Sequence, residues 1–468
     1  MVKGSYRIEK DSMGDVKVPL KAYYGAETQR AIENFRISGL RFQQVFIRNL
    51  ALIKLAAANV NMALGMLNQR RGKAIAAAAE RVWRGELYDE FLLDIFQTGS
   101  GTSTNMNMNE VIANLAIESL GGERGDKNIL HPNDHVNLGQ STNDVFPTTI
   151  HLSSIEVTEK ELLPNLRDLH SILIEKACEF DDVVKAGRTH WQDAVPITLG
   201  QEFSGYASMI WHDISRIEDA ESGLKELPIG GTAVGTGLNA NPEFSTMVVK
   251  ELSELTDITY RKADNYFEAL QGRGACVQFS GTLKTLATDL TKISNDLRIL
   301  SSGPSTALAE IELPAVQPGS SIMPGKVNPV IPEAVRMVAA RVIGNDVTLT
   351  LAGQGGEMEL NVMMPIIAYS LLESIELEAN AAKALADKCV KGIKANREKC
   401  LHYAETSSAL ATVISPMVGH DEAAKIVQEA NEKGKTIRQV LIESDLVPKG
   451  KLEQALDLKR MTKGGRLL

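Results

Sequence analysis

The sequence predicts a mainly α protein built around a bundle of long helices. Three observations carry that expectation. Over Ala275–Leu300, the residues Leu283, Leu286, Leu290, Ile293, Leu297 and Leu300 alternate spacings of three and four. That is an a/d seam, which packs lengthwise against other long helices. Similar periodicity runs over 154–181, 197–225, 330–352 and 363–390, each far longer than the usual helix of about 11–12 residues. Aromatic residues make up only 5% of the chain, and glycine and proline cluster between helical segments rather than punctuating short strands. Both features disfavour a sheet core.

At 468 residues the chain has room for several domains. Residues 1–140 read as an N-terminal domain that mixes short helices with the polar loop QTGSGTSTNMNMNE. Residues 141–397 carry the long helices and form the central domain, and 398–468 read as a small C-terminal helical domain. No internal repeat or low-complexity segment interrupts this order.

Composition narrows the partners. The formal charge is −9, and no cluster of Lys and Arg rises above the acidic background, which argues against a nucleic-acid surface. No uncharged apolar stretch approaches the ~18 residues of a membrane span. The opening MVKGSYRIEKDSMGD lacks the apolar core of a signal peptide. Cys178, Cys276, Cys389 and Cys400 are scattered without a CxxC pair, as expected of free thiols in a reducing compartment. The expectation is a cytoplasmic protein with neither a membrane nor a nucleic-acid partner.

The chemistry concentrates in loops. PGSSIMPGKVNP, residues 318–329, combines two hydroxyls and an ammonium with helix-breaking glycine and proline. It is not a nucleotide phosphate loop: five residues separate Gly319 from Gly325, and Val327 stands where the magnesium-binding hydroxyl belongs. GGTAVGTGLNA has glycines but no flanking parallel-strand pattern, so a dinucleotide fold is excluded as well. Other donor-rich loops are QTGSGTSTNMN, HPNDHVNLGQSTND and GRTHWQDAVP. Hydroxyls and amides of this kind hold carboxylates, with one lysine supplying balancing charge. Any single loop is better explained by turn and cap chemistry; several together point to a site. His131 and His135 are four apart, but the intervening PND breaks a helix, so they do not form a metal-binding pair. No metal and no cofactor is expected.

GSSIMPGKVNP resembles the signature loop of the fumarase/aspartase superfamily. QTGSGTSTNMNMNEVIAN, HPNDHVN…QSTND, GRTH.QDAVPITLGQEFSGY, GGTAVGTGLN, FEALQ and ELNV follow in the family's order. The resemblance implies a three-domain fold whose long central helices assemble into a twenty-helix core in a homotetramer, with each active site shared by three subunits. It implies reversible trans addition across the double bond of fumarate through an aci-carboxylate. Carried over motif by motif, Ser320 would be the base, Lys326, Asn328 and Thr189 would hold the aci-carboxylate, and His190 paired with Glu333 would serve the leaving side. Ser100, Thr102, Ser141, Thr142, Asn143 and Ser321 would bind the other carboxylate and the leaving group. His131, Asn133 and Asp134 resemble the family's secondary anion site. QTGSGT, GQEFSGY and FEAL resemble the metal-independent hydratase branch, which forms L-malate from fumarate. STND and NPVIPE are similar to the branch that releases ammonia from L-aspartate. A catalytically inert structural protein of the same fold is the reading from another class.

Overall fold

The structure is a computed structural model describing residues 6–444 and 446–465; the first five residues of the polar N-terminal stretch lie outside the described residues. Helices dominate. They are α1 Ala26–Asn34, α2 Gln44–Ala63, α3 Gln69–Trp83, α4 Thr102–Ser119, α5 Thr142–Val157, α6 Leu163–Glu179 and α7 Leu199–Leu224. α8 Phe244–Thr256, α9 Tyr266–Gln271, α10 Gly274–Leu300, α11 Val330–Gly353 and α12 Met364–Lys388 follow, and shorter helices complete the chain. Among the described residues every sheet has two strands. The long helices fall where the apolar periodicity placed them, and all six seam residues from Leu283 to Leu300 are buried.

Two differences have physical causes. The helical stretch expected over 154–181 is divided: a π turn, Thr158–Leu162, separates α5 from α6. Pro164 lacks an N–H, and its ring clashes with the carbonyl four residues back, so the turn widens there. The N-terminal region also opens with an antiparallel hairpin, β1 Tyr6–Asp11 and β2 Gly14–Pro19, turned by Gly14 at φ +119°. Its signal is a short alternation, IEKD…DVKV, which a helical reading of this region does not use.

The chain divides into two compact units. The first comprises residues 1–163, 215–285 and 340–379. Its core forms on α2, which packs against α3, α5 and α8. α2 has the length and apolarity of a membrane span, yet most of it is buried inside the unit. Phe42, Phe46 and Phe146 pack ring against ring, with centroids 4.5–5.8 Å apart. Each fully buried aromatic or large aliphatic side chain contributes ~1.5–3 kcal/mol.

The second unit comprises residues 164–214, 286–339 and 380–468. It contains an antiparallel hairpin, β3 Val184–Thr189 and β4 Gln192–Thr198, packed against the helix Arg397–Thr406. A separate apolar cluster forms around Leu410, Ile414, Ile426, Ile437, Val440, Leu441 and Leu452.

Candidate active site

In the first unit the expected carboxylate donors sit at two helix N-termini. Ser100, Gly101 and Thr102 lead into α4, and Ser141, Thr142 and Asn143 lead into α5. A helix N-terminus presents unpaired N–H groups and the positive end of the helix dipole, so both ends favour an anion. They lie together because Gly101 has no side chain: it adopts φ +82°, and a Cβ there would run into the Phe146 ring of α5. Ser100 Oγ and Thr102 Oγ1 are 2.8 Å apart. Gln97 Oε1 accepts from Thr104 N and Oγ1 at 3.0 and 2.9 Å, which fixes the first turn of α4.

The α5 terminus carries a capping box. Ser141 Oγ accepts from Asn143 N at 3.2 Å, and Asp144 Oδ1 accepts from Ser141 N at 3.0 Å. Asp144 Oδ2 accepts from Gly230 N and Thr232 N at 3.0 and 2.8 Å, which ties the GGTAVGTG loop to this end of α5. Asn143 Nδ2 donates to Ala233 O at 2.8 Å across the same junction. Burial pushes Asp144 up to about 6 against those backbone donors and the nearby Lys54. The ELNV motif docks beside Gly99, where Met364 N donates to Gly99 O at 3.1 Å.

Behind Thr142 lies a polar cluster in which Asn105, Asn137 and Gln140 come from the quoted motifs and Lys54 does not. Asn105 Nδ2 donates to Thr142 Oγ1 at 2.9 Å and to Asn137 Oδ1 at 3.3 Å. Lys54, fully buried on α2, donates to Asn137 Oδ1 and Gln140 Oε1 at 2.9 and 3.0 Å. The available sequence signal was a lone lysine inside the apolar run ALIKLAAANV.

His131 takes a local role. Its Nδ1 accepts from Asn133 N and Asp134 N at 3.2 and 3.3 Å, so it caps the turn Pro132–Val136. His131 N donates to His135 Nδ1 at 2.8 Å.

In the second unit two backbone N–H groups meet the Ser320 hydroxyl. Its Oγ accepts from Met323 N at 2.9 Å and from Ile322 N at 3.2 Å. Two N–H dipoles on a hydroxyl oxygen stabilise an alkoxide there. Asn328 Nδ2 donates to Gly319 O at 2.6 Å, and Gly319 N donates to Lys326 O at 2.9 Å, closing the loop on itself. Gly319 must be glycine, since a Cβ would lie 2.8 Å from Asn328 N. A cavity of about 380 Å³ is lined by residues 315–320, Met323 and Gly325–Val327, among them Ser320 and Lys326. Ser321 and Lys326 are exposed.

Thr189 and His190 stand at the β3–β4 turn. His190 and Trp191 adopt φ +55° and +62°, the left-handed pair of a two-residue hairpin that normally takes Asn-Gly. Non-glycine residues there cost ~1–3 kcal/mol each, a cost often met at functional turns. Arg188, just before the turn, binds the fully buried Glu310 at 2.8 Å, and Lys185 lies 3.3 Å from the same carboxylate. A cavity of about 940 Å³ opens beside Arg188, His190, Trp191, Lys292 and Tyr403. No hydrogen bond or ion pair joins His190 to Glu333 among the described residues; Glu333 lies in the first turn of α11. Each unit thus gathers its own part of the expected set.

Comparisons with known proteins give relatives over nearly the whole chain. Residues 14–344 match a family model described as lyase, and residues 410–463 match one described as fumarase C C-terminus. Aspartate ammonia-lyase of Bacillus subtilis is 46% identical over 460 residues, covering 98% of this chain and 97% of that one. Fumarate hydratase class II of Nitrosomonas europaea is 48% identical over 457 residues, covering 98% and 99%. Among solved structures, a class II fumarase from Schistosoma mansoni superposes with a TM-score of 0.95 at 42% identity, covering 98% of this chain and 99% of that one.

Proposed function

The chain belongs to the fumarase/aspartase superfamily of lyases, and from that premise we propose that it catalyses the reversible hydration of fumarate to L-malate. The observation that carries the proposal is the Ser320 hydroxyl, with the Ile322 and Met323 N–H groups directed at its oxygen. Starting from malate, the Ser320 alkoxide takes the proton from the carbon next to a carboxylate. The electron pair moves onto that carboxylate, giving a doubly charged aci-carboxylate. Lys326, Asn328 and Thr189 bind this charge more tightly than the ground state, which is the source of rate enhancement. The pair then returns to form the double bond, and hydroxide leaves from the neighbouring carbon with a proton supplied on the His190 side. Ser100, Thr102, Ser141, Thr142, Asn143 and Ser321 hold the other carboxylate and the leaving group. His131, Asn133 and Asp134 form a secondary anion site in this reading.

The working form is a homotetramer with each site shared by three subunits. This is supported by an exposed apolar stripe, Ile343, Val347 and Leu351, along α11. The four cysteines are free thiols, which supports a cytoplasmic setting.

Ammonia release from L-aspartate is the second reading, favoured by STND at residues 141–144 and by the Bacillus relative. Fumarate absorbance decides between them. Purified protein given L-malate in one cuvette and L-aspartate in another is expected to generate fumarate from malate alone. Fumarate from aspartate alone would overturn the hydratase. No fumarate from either would favour an inert structural protein.

A further inference from the structure

The first unit buries an ammonium that the reaction scheme does not use. Lys54 is 0% exposed on a helix whose other inward residues are almost all apolar. Burying an unpaired charge costs several kcal/mol, so an ammonium in that place needs acceptors. Its acceptors are the side-chain oxygens of Asn137 and Gln140, from the NLGQ stretch just before Ser141. Asp144 is the charged group that acts on it from α5, and burial pulls Lys54 down to about 7.

The directions of the bonds matter more than the charge. Below about pH 7 Lys54 is mainly the ammonium, which donates and cannot accept. Lys54 therefore obliges Asn137 and Gln140 to turn their oxygens toward it. Asn137 Oδ1 also receives Asn105 Nδ2 at 3.3 Å and Asn109 Nδ2 at 3.2 Å, while its own Nδ2 donates to Gln140 O at 3.2 Å. With Asn137 presenting oxygen, Asn105 presents its amino group, one hydrogen to Asn137 Oδ1 and the other to Thr142 Oγ1. Asn105 Oδ1 and Asn109 Oδ1 have no hydrogen-bond partner among the described residues, so neither amide is oriented through its oxygen. Once Thr142 Oγ1 accepts from Asn105, its hydroxyl hydrogen is left to donate outward at the α5 N-terminus. An amide flipped the other way would take that hydrogen and leave a lone pair facing an anion.

We infer that Lys54 is a positioning residue that sets the hydrogen-bond polarity of the carboxylate pocket, acting through Asn137 and Asn105 to make Thr142 a donor to the substrate. The inference rests on the reading of Thr142 as a carboxylate-binding residue.

The test is fumarate binding by calorimetry in the Ser320→Ala background, where turnover does not intervene. Lys54→Met is expected to weaken binding about tenfold, which corresponds to ~1.4 kcal/mol. Lys54→Arg, which also only donates, is expected to recover part of the loss. Adding Lys54→Met to Thr142→Val is expected to cost nothing further, an outcome that general loosening of the fold would not produce. If Lys54→Met does not fold, Asn105→Ala breaks the same chain one step nearer the site and should show the same loss. Unchanged affinity in Lys54→Met, or equal losses with and without Thr142, would overturn the inference. A parent that binds no fumarate would overturn the dicarboxylate reading and this one with it.

Discussion

At Ser320 the hydroxyl oxygen meets two backbone N–H groups, and the lysine of the same loop lines the adjoining cavity. If Ser320 is the base proposed above, proton removal needs that oxygen. Ser320→Ala is therefore expected to lower kcat by about 10²–10⁴, the range of a lost general base, with little change in dicarboxylate affinity. Steady-state kinetics with fumarate binding measured alongside would check it; a variant with wild-type kcat would remove Ser320 from the mechanism. A melting curve should show no loss of stability, because the side chain lies in a solvent-accessible loop and its bonds are local.

α1 and α4 show how one element finishes another. No side chain caps α1 at Gly25. Instead Glu110, in the middle of α4, accepts from Gly25 N, Glu27 N, Thr28 N and Thr28 Oγ1 at 2.6–3.1 Å. Burial pushes Glu110 up to about 7 despite those donors. A carboxyl whose folded value is raised holds its proton in the folded state where the unfolded chain has lost it. Stability from this group is thus fully present below about 4.5 and is lost as pH rises through about 7. Glu110→Gln is expected to lower stability at pH 5 by removing an acceptor, and to flatten the fall between pH 5 and 7.5 by ~2 kcal/mol. Urea unfolding of both proteins at the two pH values measures the difference in slope. Equal slopes would mean that Glu110 keeps an ordinary carboxylate value.

For the whole molecule, a site shared among subunits makes a prediction that a self-contained chain does not. Ser320→Ala and His190→Ala would each be inactive alone. If the two residues reach one site from different chains, dissociating and reassociating an equal mixture should restore about a quarter of wild-type activity, since random assembly leaves that share of sites with both residues intact. No restoration, with mixed tetramers confirmed by mass, would place both residues of a site on one chain. The stripe Ile343, Val347 and Leu351 gives a second handle. Charging Val347, as in Val347→Glu, should shift sedimentation toward smaller species, because a buried unpaired carboxylate opposes helix–helix association.

Much of this protein was legible in the sequence. Spacing alone located α7, α10, α11 and α12, because an apolar residue every three or four positions has to face a core wherever the chain goes. Glycine and proline marked the 318–329 segment as a loop, because their backbone limits are local. The family's motifs named Ser320, Thr142 and His190. What sequence left unread depends on neighbours distant in the chain. In the sequence Lys54 is one lysine in the apolar run ALIKLAAANV, and only folding brings residues 105, 137 and 140 around it. Glu110 as a cap for α1, and Asp144 as the clasp on the 230–232 loop, are equally invisible to local pattern. Periodicity and turn chemistry are properties of adjacent residues, so the chain itself determined its helices and its reactive loop. The direction of a hydrogen bond between remote side chains is set by which donors surround it, and that only the tertiary structure decided.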